Sequence, residues 1–282
     1  MVTIPTWSCS PGNQQRRRWV DRFVSDASTS GYDIEFFWDP VCPFAWITSR
    51  WVEDVAEQTG MSVDWRFISL RLLNKDKDYA TEFPPEYEQG HTAGLRFLRV
   101  AAAIRADLGR APMGALVRAY GESYWDLSRE EAREVGIREH LSTDAHTRAV
   151  LASAGVDPSY ASALDDPSWD QELDAETELA LSRTGRDVGT PIITFHRPEA
   201  LQVSFFGPVI SRVPPRAESV ALWDAVTTLA SFPGFAEIKR SMREVPQLPV
   251  LGGVSAEPAE EDWTGGHRRG HLASDRDDEA PS

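Results

Sequence analysis

The chain has 282 residues, of which 41% are apolar and ten are tryptophan, so it can bury the core of one large domain or two small ones. Its formal net charge is −15, which argues against nucleic acids and anionic membrane surfaces as partners. Only Cys9 and Cys42 are present, too few for a disulfide scaffold, and no run of about 18 apolar residues predicts a membrane span.

The N-terminal segment 1–32 is polar and rich in Ser, Arg and Pro, which predicts a flexible extension with a short helix at 14–24. Three arginines at 16–18 are followed by a short apolar stretch that the charged residues Asp21 and Arg22 interrupt. A secretory signal needs a continuous apolar segment, so none is expected. A reducing cytoplasm is therefore the expected location, and there Cys42 would remain a free thiol.

A strand, a helix and a second strand are predicted next. Ile47, Trp51 and Val55 recur at i, i+4 and i+8, which gives the helix one apolar face, and Gly60 follows as its C-terminal cap. This order is a βαβ unit, whose strands are parallel. The predicted bounds are Asp33–Trp38, Cys42–Thr59 and Met61–Leu70.

Helical periodicity dominates from residue 85 to 186, where prolines and glycines separate four or five predicted helices, one of them at Ala132–Leu141. A strand hairpin, a helix and a last short helix are predicted after this block. Their bounds are Val188–Phe195, Ala200–Phe206, Arg216–Ser231 and Gly234–Arg243. Beyond Pro249 the chain is rich in Gly, Ala, Asp, Glu and Ser, which predicts disorder.

Taken in order, βαβ, helical block and ββα predict an α/β protein with a thioredoxin-like fold and an all-helical insertion domain. In that fold a proline before the third strand faces the start of the first helix, and Pro191 holds this place. The predicted divisions are a flexible extension at 1–32, the first part of the thioredoxin-like domain at 33–84, the helical insertion at 85–186, the second part of that domain at 187–248 and a disordered acidic tail at 249–282.

Cys42 is the strongest candidate for a catalytic residue, because it lies at a strand-to-helix turn. Unpaired amides and the dipole at a helix start favour the thiolate, which is the nucleophile in disulfide exchange. Asp39, interpreted first as a turn residue, would raise the pKa of the thiol. A thioredoxin-type Cys-x-x-Cys motif would place a second cysteine where this chain has Ala45. The minority alternative is that Cys42 is a buried apolar residue without a catalytic role.

Three separated motifs resemble the DsbA-like thioredoxin superfamily, and most closely its actinobacterial mycothiol-dependent nitroreductase and oxidoreductase group. The motifs are Phe37–Trp51, Val188–Ile192 and Phe205–Pro214, and the likeness covers about 33–245. The resemblance implies a nucleophile at Cys42, followed by an active-site turn of Pro43, Phe44, Ala45 and Trp46.

The same resemblance implies a cis peptide bond before Pro191, with Thr190 offering backbone hydrogen bonds to a peptide-like thiol. It implies mycothiol or another low-molecular-weight thiol as the reductant, with no tightly bound cofactor. The residues predicted to bind the substrate or the thiol are Trp38, Thr190, Pro191, Phe206 and His91. His91 is a possible base partner for the thiol, although the favoured interpretation is a surface histidine.

The family pattern is Cys-Pro-Trp-Cys, whereas this chain has Cys42-Pro43-Phe44-Ala45, so no dithiol cycle can occur within the motif. Related kappa-class glutathione transferases and hydroxychromene-carboxylate isomerases share the architecture without an intact Cys-x-x-Cys. The leading hypothesis is a monothiol oxidoreductase or thiol transferase. The alternatives are a covalent cis–trans double-bond isomerase and a non-enzymatic binding module.

The expected partner is a small-molecule substrate, without nucleic acid or membrane, and a homodimer is left open. The six histidines have no spacing typical of a metal site, so no metal is expected.

Overall fold

A four-stranded sheet forms the centre of the protein in a computed structural model that describes residues 31–141, 143–197, 200–255 and 258–263. Its strands lie in the order β2-β1-β3-β4. β1 and β2 are parallel, and β3 is antiparallel to both β1 and β4. This is the thioredoxin-like topology, so the predicted fold is confirmed. The strands are β1 (Ile34–Trp38), β2 (Val63–Phe67), β3 (Ile192–Arg197) and β4 (Ala200–Phe206).

Helices make up most of the rest of the described chain. Among the described residues of the predicted insertion there are six α-helices rather than four or five, because Gly136 with φ of +57° interrupts the helix predicted at Ala132–Leu141. The α-helices are α1 (Pro43–Thr59), α2 (Leu70–Leu73), α3 (Tyr79–Glu82), α4 (Glu86–Leu108), α5 (Met113–Glu122), α6 (Arg129–Glu134), α7 (Ile137–His140), α8 (Asp144–Ser153), α9 (Asp170–Thr184) and α10 (Arg216–Ala230). Short 3₁₀ helices lie at Pro158–Asp165, Pro167–Trp169 and Pro249–Leu251.

The apolar face of α1 anchors the start of that helix. Ile47, Trp51 and Val55 are buried, as the periodicity predicts, and Gly60 ends the helix in the left-handed conformation. The Trp51 indole donates to the backbone carbonyl of Ser219 at 3.1 Å. This contact ties α1 to α10, so the N-terminal end of α1 is fixed over the sheet.

A buried carboxylate joins the helical insertion to the sheet. Glu176 of α9 accepts hydrogen bonds from the Phe67 amide at 2.8 Å and from Arg66 at 2.7 Å. Arg105 of α4 approaches the same carboxylate at 3.0 Å. Because β2 carries Arg66 and Phe67, these bonds set the position of the insertion helices beside the strand that neighbours β1.

The C-terminal part of the chain differs from the prediction in two ways. The helix predicted at Gly234–Arg243 is absent from the described chain; instead Met242–Glu244 forms β5, which pairs with β6 (Glu260–Asp262). The disorder predicted beyond Pro249 is wrong for the described residues of that segment. Trp263 packs against the core, which compensates for the entropy cost of ordering this polar stretch. The predicted extension 1–32, except its last two residues, lies outside the described residues.

None of the helices in the described ranges is both long and apolar enough to cross a membrane.

Candidate active site

Cys42 lies at the N-terminal end of α1, as the sequence predicts. Its thiol donates to the Thr190 carbonyl at 3.3 Å, and its sulfur accepts a hydrogen bond from the Ala45 amide at 3.4 Å. The residue is 7% exposed. Pro43 occupies the first helical position. Proline lacks an N–H group there, but an N–H at this position has no hydrogen-bond acceptor within the helix, so no hydrogen bond is lost. The sulfur therefore lies between a helix start and the loop that precedes β3.

The pKa of the Cys42 thiol is raised to about 12, contrary to the expectation for a cysteine at a helix start. Burial is the main cause, and the charge of Asp39 raises the pKa further, whereas the amides of Ala45 and Phe44 lower it. The two amides are present, as predicted, but the loss of hydration raises the pKa of the thiol by more than the amides lower it. In the resting protein Cys42 is therefore a neutral thiol at pH 7.

Asp39 is the charged group that acts on this thiol. It is 1% exposed, and its carboxylate accepts hydrogen bonds from the amides of Val41 and Leu70 at 2.9 and 2.7 Å. Burial raises its pKa to about 7, although the two amides oppose this shift. Asp39 therefore fixes the turn before Cys42, as expected, and also changes its charge near neutral pH.

The rate at which iodoacetamide modifies Cys42 should rise about tenfold per pH unit between pH 7 and 10, without a plateau, because the thiolate fraction grows at that rate below the raised pKa. Asp39→Asn should accelerate the reaction about threefold or more at pH 9, since it removes a negative charge that disfavours the thiolate. The measurement is peptide mass spectrometry in a Cys9→Ser background, with the exposed Asp224→Asn as control. A plateau below pH 8 would contradict the raised pKa.

The turn after Cys42 is buried by aromatic neighbours. Phe44 is 6% exposed, and its ring centroid lies 5.6 Å from that of Trp263 in an edge-to-face arrangement. Ala45 is buried, where the thioredoxin-type motif has its second cysteine. The site thus combines one sulfur with an apolar surrounding.

Trp46 joins the active-site helix to the helical insertion. Its indole donates to Asp126 at 3.3 Å, and the Arg50 guanidinium lies 5.3 Å from its ring. Gly121 of α5 faces the ring so closely that an added Cβ would lie 2.2 Å from it. Sequence reasoning missed Gly121 and Asp126, because neither lies in a motif that indicates contact with α1.

Thr190 and Pro191 lie against Cys42, as the resemblance implies. The Thr190–Pro191 peptide bond is cis, and Thr190 is buried with its hydroxyl donating to the Phe37 carbonyl at 3.4 Å. The Thr190 carbonyl is the acceptor of the Cys42 thiol hydrogen bond. These two residues therefore form the side of the site opposite the start of α1.

Phe206 is positioned differently from Thr190 and Pro191. It packs with Phe37 and Ile192, in an apolar cluster separate from the one that contains Cys42. Because side chains alternate along a strand, Phe37 faces away from the sheet side that carries Phe36 and Trp38. Phe206 therefore packs in a different apolar cluster from the thiol, next to Gly189.

His91 is buried rather than on the surface, so the favoured interpretation of this residue is wrong. Its Nδ1 lies 2.8 Å from the Tyr79 hydroxyl. Burial, aided by the charge of Arg71, lowers the pKa of His91 to about 4. His91 is therefore neutral at pH 7 and supplies no positive charge to a thiolate.

Trp38 lies beneath the site, at the end of β1. It is 3% exposed and belongs to the same apolar cluster as Cys42, Phe44 and Ala45. Together with Asp39 and Tyr120 it lines a small cavity of about 10 Å³ next to Ala45. Trp38, predicted from the sequence to bind the substrate or the thiol, is thus part of the core beside the site.

A groove of about 430 Å³ lies beside the first turns of α1. Trp46 and Arg50 of α1 line it together with Arg212 and Gln247. Arg212 is paired with Glu244 at 3.2 Å, so part of the positive charge is already balanced. The groove has a mixed lining of charged and apolar side chains, with the aromatic ring of Trp46 among them.

In the described part of the chain, no group of three or more His, Cys, Asp or Glu side chains is arranged to hold a metal ion.

The chain is similar to one family and to several individual proteins. The family model described as Rv2466c-like, mycothiol-dependent nitroreductase Rv2466c, matches residues 41–240. Rv2286c of Mycobacterium tuberculosis, an uncharacterised protein, is 30% identical over 208 residues, which are 73% of this chain and 81% of that protein.

Two solved structures are also similar. A probable DsbA oxidoreductase of Streptomyces coelicolor, SCO1869, has a TM-score of 0.42 at 16% identity and covers 76% of this chain and 97% of its own. A 2-hydroxychromene-2-carboxylate isomerase has a TM-score of 0.36 at 16% identity and covers 70% of this chain and 95% of its own.

Proposed function

Because this chain belongs to the Rv2466c-like family, described as mycothiol-dependent nitroreductase, we propose that it is a single-cysteine thiol oxidoreductase or thiol transferase acting through Cys42. The observation that carries the proposal is the position of the Cys42 sulfur between the Ala45 amide and the Thr190 carbonyl. Ala45 leaves no second thiol within the motif, so an external low-molecular-weight thiol completes the cycle.

The proposed reaction has two exchange steps. In the first, the Cys42 sulfur attacks one sulfur of a disulfide, which forms a mixed disulfide and releases the other half as a thiolate. The proton of the Cys42 thiol passes to that leaving thiolate. In the second step, the external thiol loses its proton, and its sulfur attacks the substrate-derived sulfur of the mixed disulfide. This forms a new small disulfide, and the Cys42 sulfur leaves as a thiolate that takes up the proton and becomes the thiol again.

The buried surroundings favour a neutral adduct over a free thiolate. The same loss of hydration that raises the pKa of Cys42 does not penalise a mixed disulfide, which carries no charge on sulfur. During attack, the Ala45 amide can donate to the sulfur as negative charge develops. The site is therefore suited to hold an adduct until a second thiol arrives.

We place the polar part of the external thiol in the groove beside α1. Its volume of about 430 Å³ is within the range of small-molecule sites. Trp46 lies four residues after Cys42, which is about 6 Å along a helix axis. Mycothiol, or another thiol with a polar uncharged group, matches a groove in which Arg212 is already paired with Glu244.

A covalent cis–trans isomerase is the second candidate, and the aromatic contact of Phe44 with Trp263 favours it. In this reaction the Cys42 sulfur adds to a conjugated double bond, the resulting single bond rotates, and the sulfur leaves again. The cycle needs one nucleophile and no resolving cysteine, as in this chain. An apolar, aromatic surrounding suits such an uncharged conjugated substrate.

Intact-protein mass spectrometry separates these candidates. The Cys9→Ser protein is incubated with mycothiol disulfide, glutathione disulfide or a conjugated enone, and the modified residue is located by peptide mapping. We expect a mixed disulfide on Cys42 that dithiothreitol removes. A reversible enone adduct without any mixed disulfide would favour the isomerase, and no adduct with any reagent would contradict both enzyme hypotheses. Cys42→Ser is the matched control.

A further inference from the structure

We infer that the C-terminal strap, defined as the described residues between 241 and 263, is a wall of the thiol site, and that Trp263 determines which substrates reach Cys42. The inference rests on the proposed function only in taking Cys42 as the reacting residue. The family match ends at residue 240, so the strap lies beyond the matched part of the chain.

The strap is anchored by its own backbone. β5 and β6 pair in an antiparallel ladder, and the Val245 amide donates to the Ala259 carbonyl at 2.8 Å. The Trp263 amide donates to the Ser241 carbonyl at 2.9 Å, which closes the two ends of the strap onto each other. Trp263 is thus carried by a small sheet rather than by an unsupported tail.

The strap is also attached to the two parts of the protein that flank α1. The Gln247 amide donates to the Ser211 carbonyl, in the loop after β4, at 2.7 Å. On the other side, Arg129 of α6 donates to the Leu251 carbonyl. Leu248 packs in the same apolar cluster as Trp46. The strap therefore bridges the sheet and the helical insertion beside the start of α1.

Three neighbours contact the Trp263 side chain. Its edge-to-face partner is Phe44, with ring centroids 5.6 Å apart. The Arg243 guanidinium lies 5.0 Å from the Trp263 ring, and the indole donates to Glu261 at 3.3 Å. Phe44 is only two residues from Cys42, so Trp263 packs against the turn that carries the thiol.

The chemistry of this wall indicates the substrates that it admits. Phe44 and Trp263 offer ring surfaces, and the nearby thiol is neutral at rest, so a flat, uncharged group is favoured beside the sulfur. A bulky group must displace the Trp263 ring from its contacts with Arg243 and Glu261. Trp263 is therefore a specificity-determining residue that discriminates by size and shape.

The test compares two neutral maleimides of different bulk, N-methylmaleimide and the non-planar N-tert-butylmaleimide, on full-length protein in a Cys9→Ser background. Trp263→Ala should raise the ratio of the bulky to the small reagent's rate on Cys42 by about tenfold, whereas Trp263→Phe should keep the ratio near the parent value. Phe232→Ala, at an aromatic residue that is 66% exposed, is the matched control. Should Trp263→Ala fail to fold, Trp263→Leu supplies the same comparison.

An unchanged rate ratio in a folded Trp263→Ala protein would overturn the inference. Equal acceleration of both reagents would also overturn it, because that result means general loosening rather than selection by size. The mixed-disulfide experiment tests the proposed function separately. If Cys42 forms no mixed disulfide but Trp263→Ala still changes the rate ratio, the strap inference stands and the proposed function falls.

Discussion

Replacing Cys42 with serine is expected to lower turnover by at least about a thousandfold, because the hydroxyl is a far weaker nucleophile than the thiolate. The variant should fold normally. A serine hydroxyl can occupy the same place between the Ala45 amide and the Thr190 carbonyl, and it changes the buried volume little. The measurement is turnover of a small disulfide with a low-molecular-weight thiol, beside thermal unfolding of the same preparations.

The control for this experiment is Cys9→Ser, which should retain turnover, since nothing in the sequence pattern places Cys9 near the active-site turn. Full activity in Cys42→Ser would contradict both enzyme hypotheses at once. Loss of activity in Cys9→Ser would instead replace the single-cysteine mechanism with a pair formed by Cys9 and Cys42.

Replacing Ala45 with cysteine is expected to make turnover depend on the redox state of the protein. The Ala45 amide lies 3.4 Å from the Cys42 sulfur, so a new thiol would be close enough for a disulfide after local adjustment. Under oxidising conditions the Cys42 sulfur would be occupied and native turnover lost by about a hundredfold or more, and reductant should restore it. If the native reaction is thiol exchange, the variant should also gain or keep general disulfide-reduction activity.

Ala45→Ser is the matched control, because it adds a side-chain atom of similar position that cannot form a disulfide. It separates the redox effect from crowding against the small cavity lined by Trp38 and Tyr120. Equal activity of Ala45→Cys in both conditions, with its disulfide shown by mass spectrometry, would exclude the Cys42 sulfur as the attacking atom.

The local patterns predicted the elements that carry the site. The bounds of β4 were predicted as observed, and those of β1 and α1 within one residue, because period-2 and period-3.6 patterns and the Gly60 cap depend on neighbouring residues alone. The prediction of a helix at Gly234–Arg243 was wrong because the structure of this segment depends on a distant part of the chain. Met242–Glu244 becomes a strand only because Glu260–Asp262, far along the chain, supplies its hydrogen-bond partner.

In the candidate site too, local patterns predicted the residues near Cys42, whereas contacts from distant segments were not predicted. The motif around Cys42 predicted the helix start, and the family resemblance implied that Thr190 and Pro191 belong to the site. Neither indicated Trp263, Gly121 or Asp126, which reach the site from distant segments. One signal was available for Trp263. It is the single aromatic residue in the segment 255–266, whose other residues are small or acidic.

The sequence by itself determined that the protein has one thiol at a strand-to-helix turn, with alanine at the second position of the motif. Only the tertiary structure decided the charge state of that thiol. A helix start acts over one turn and lowers the pKa of Cys42, whereas burial depends on every segment packed around it and raises that pKa to about 12. Hydration is lost through contacts between distant parts of the chain, so no local pattern could reveal which effect is larger.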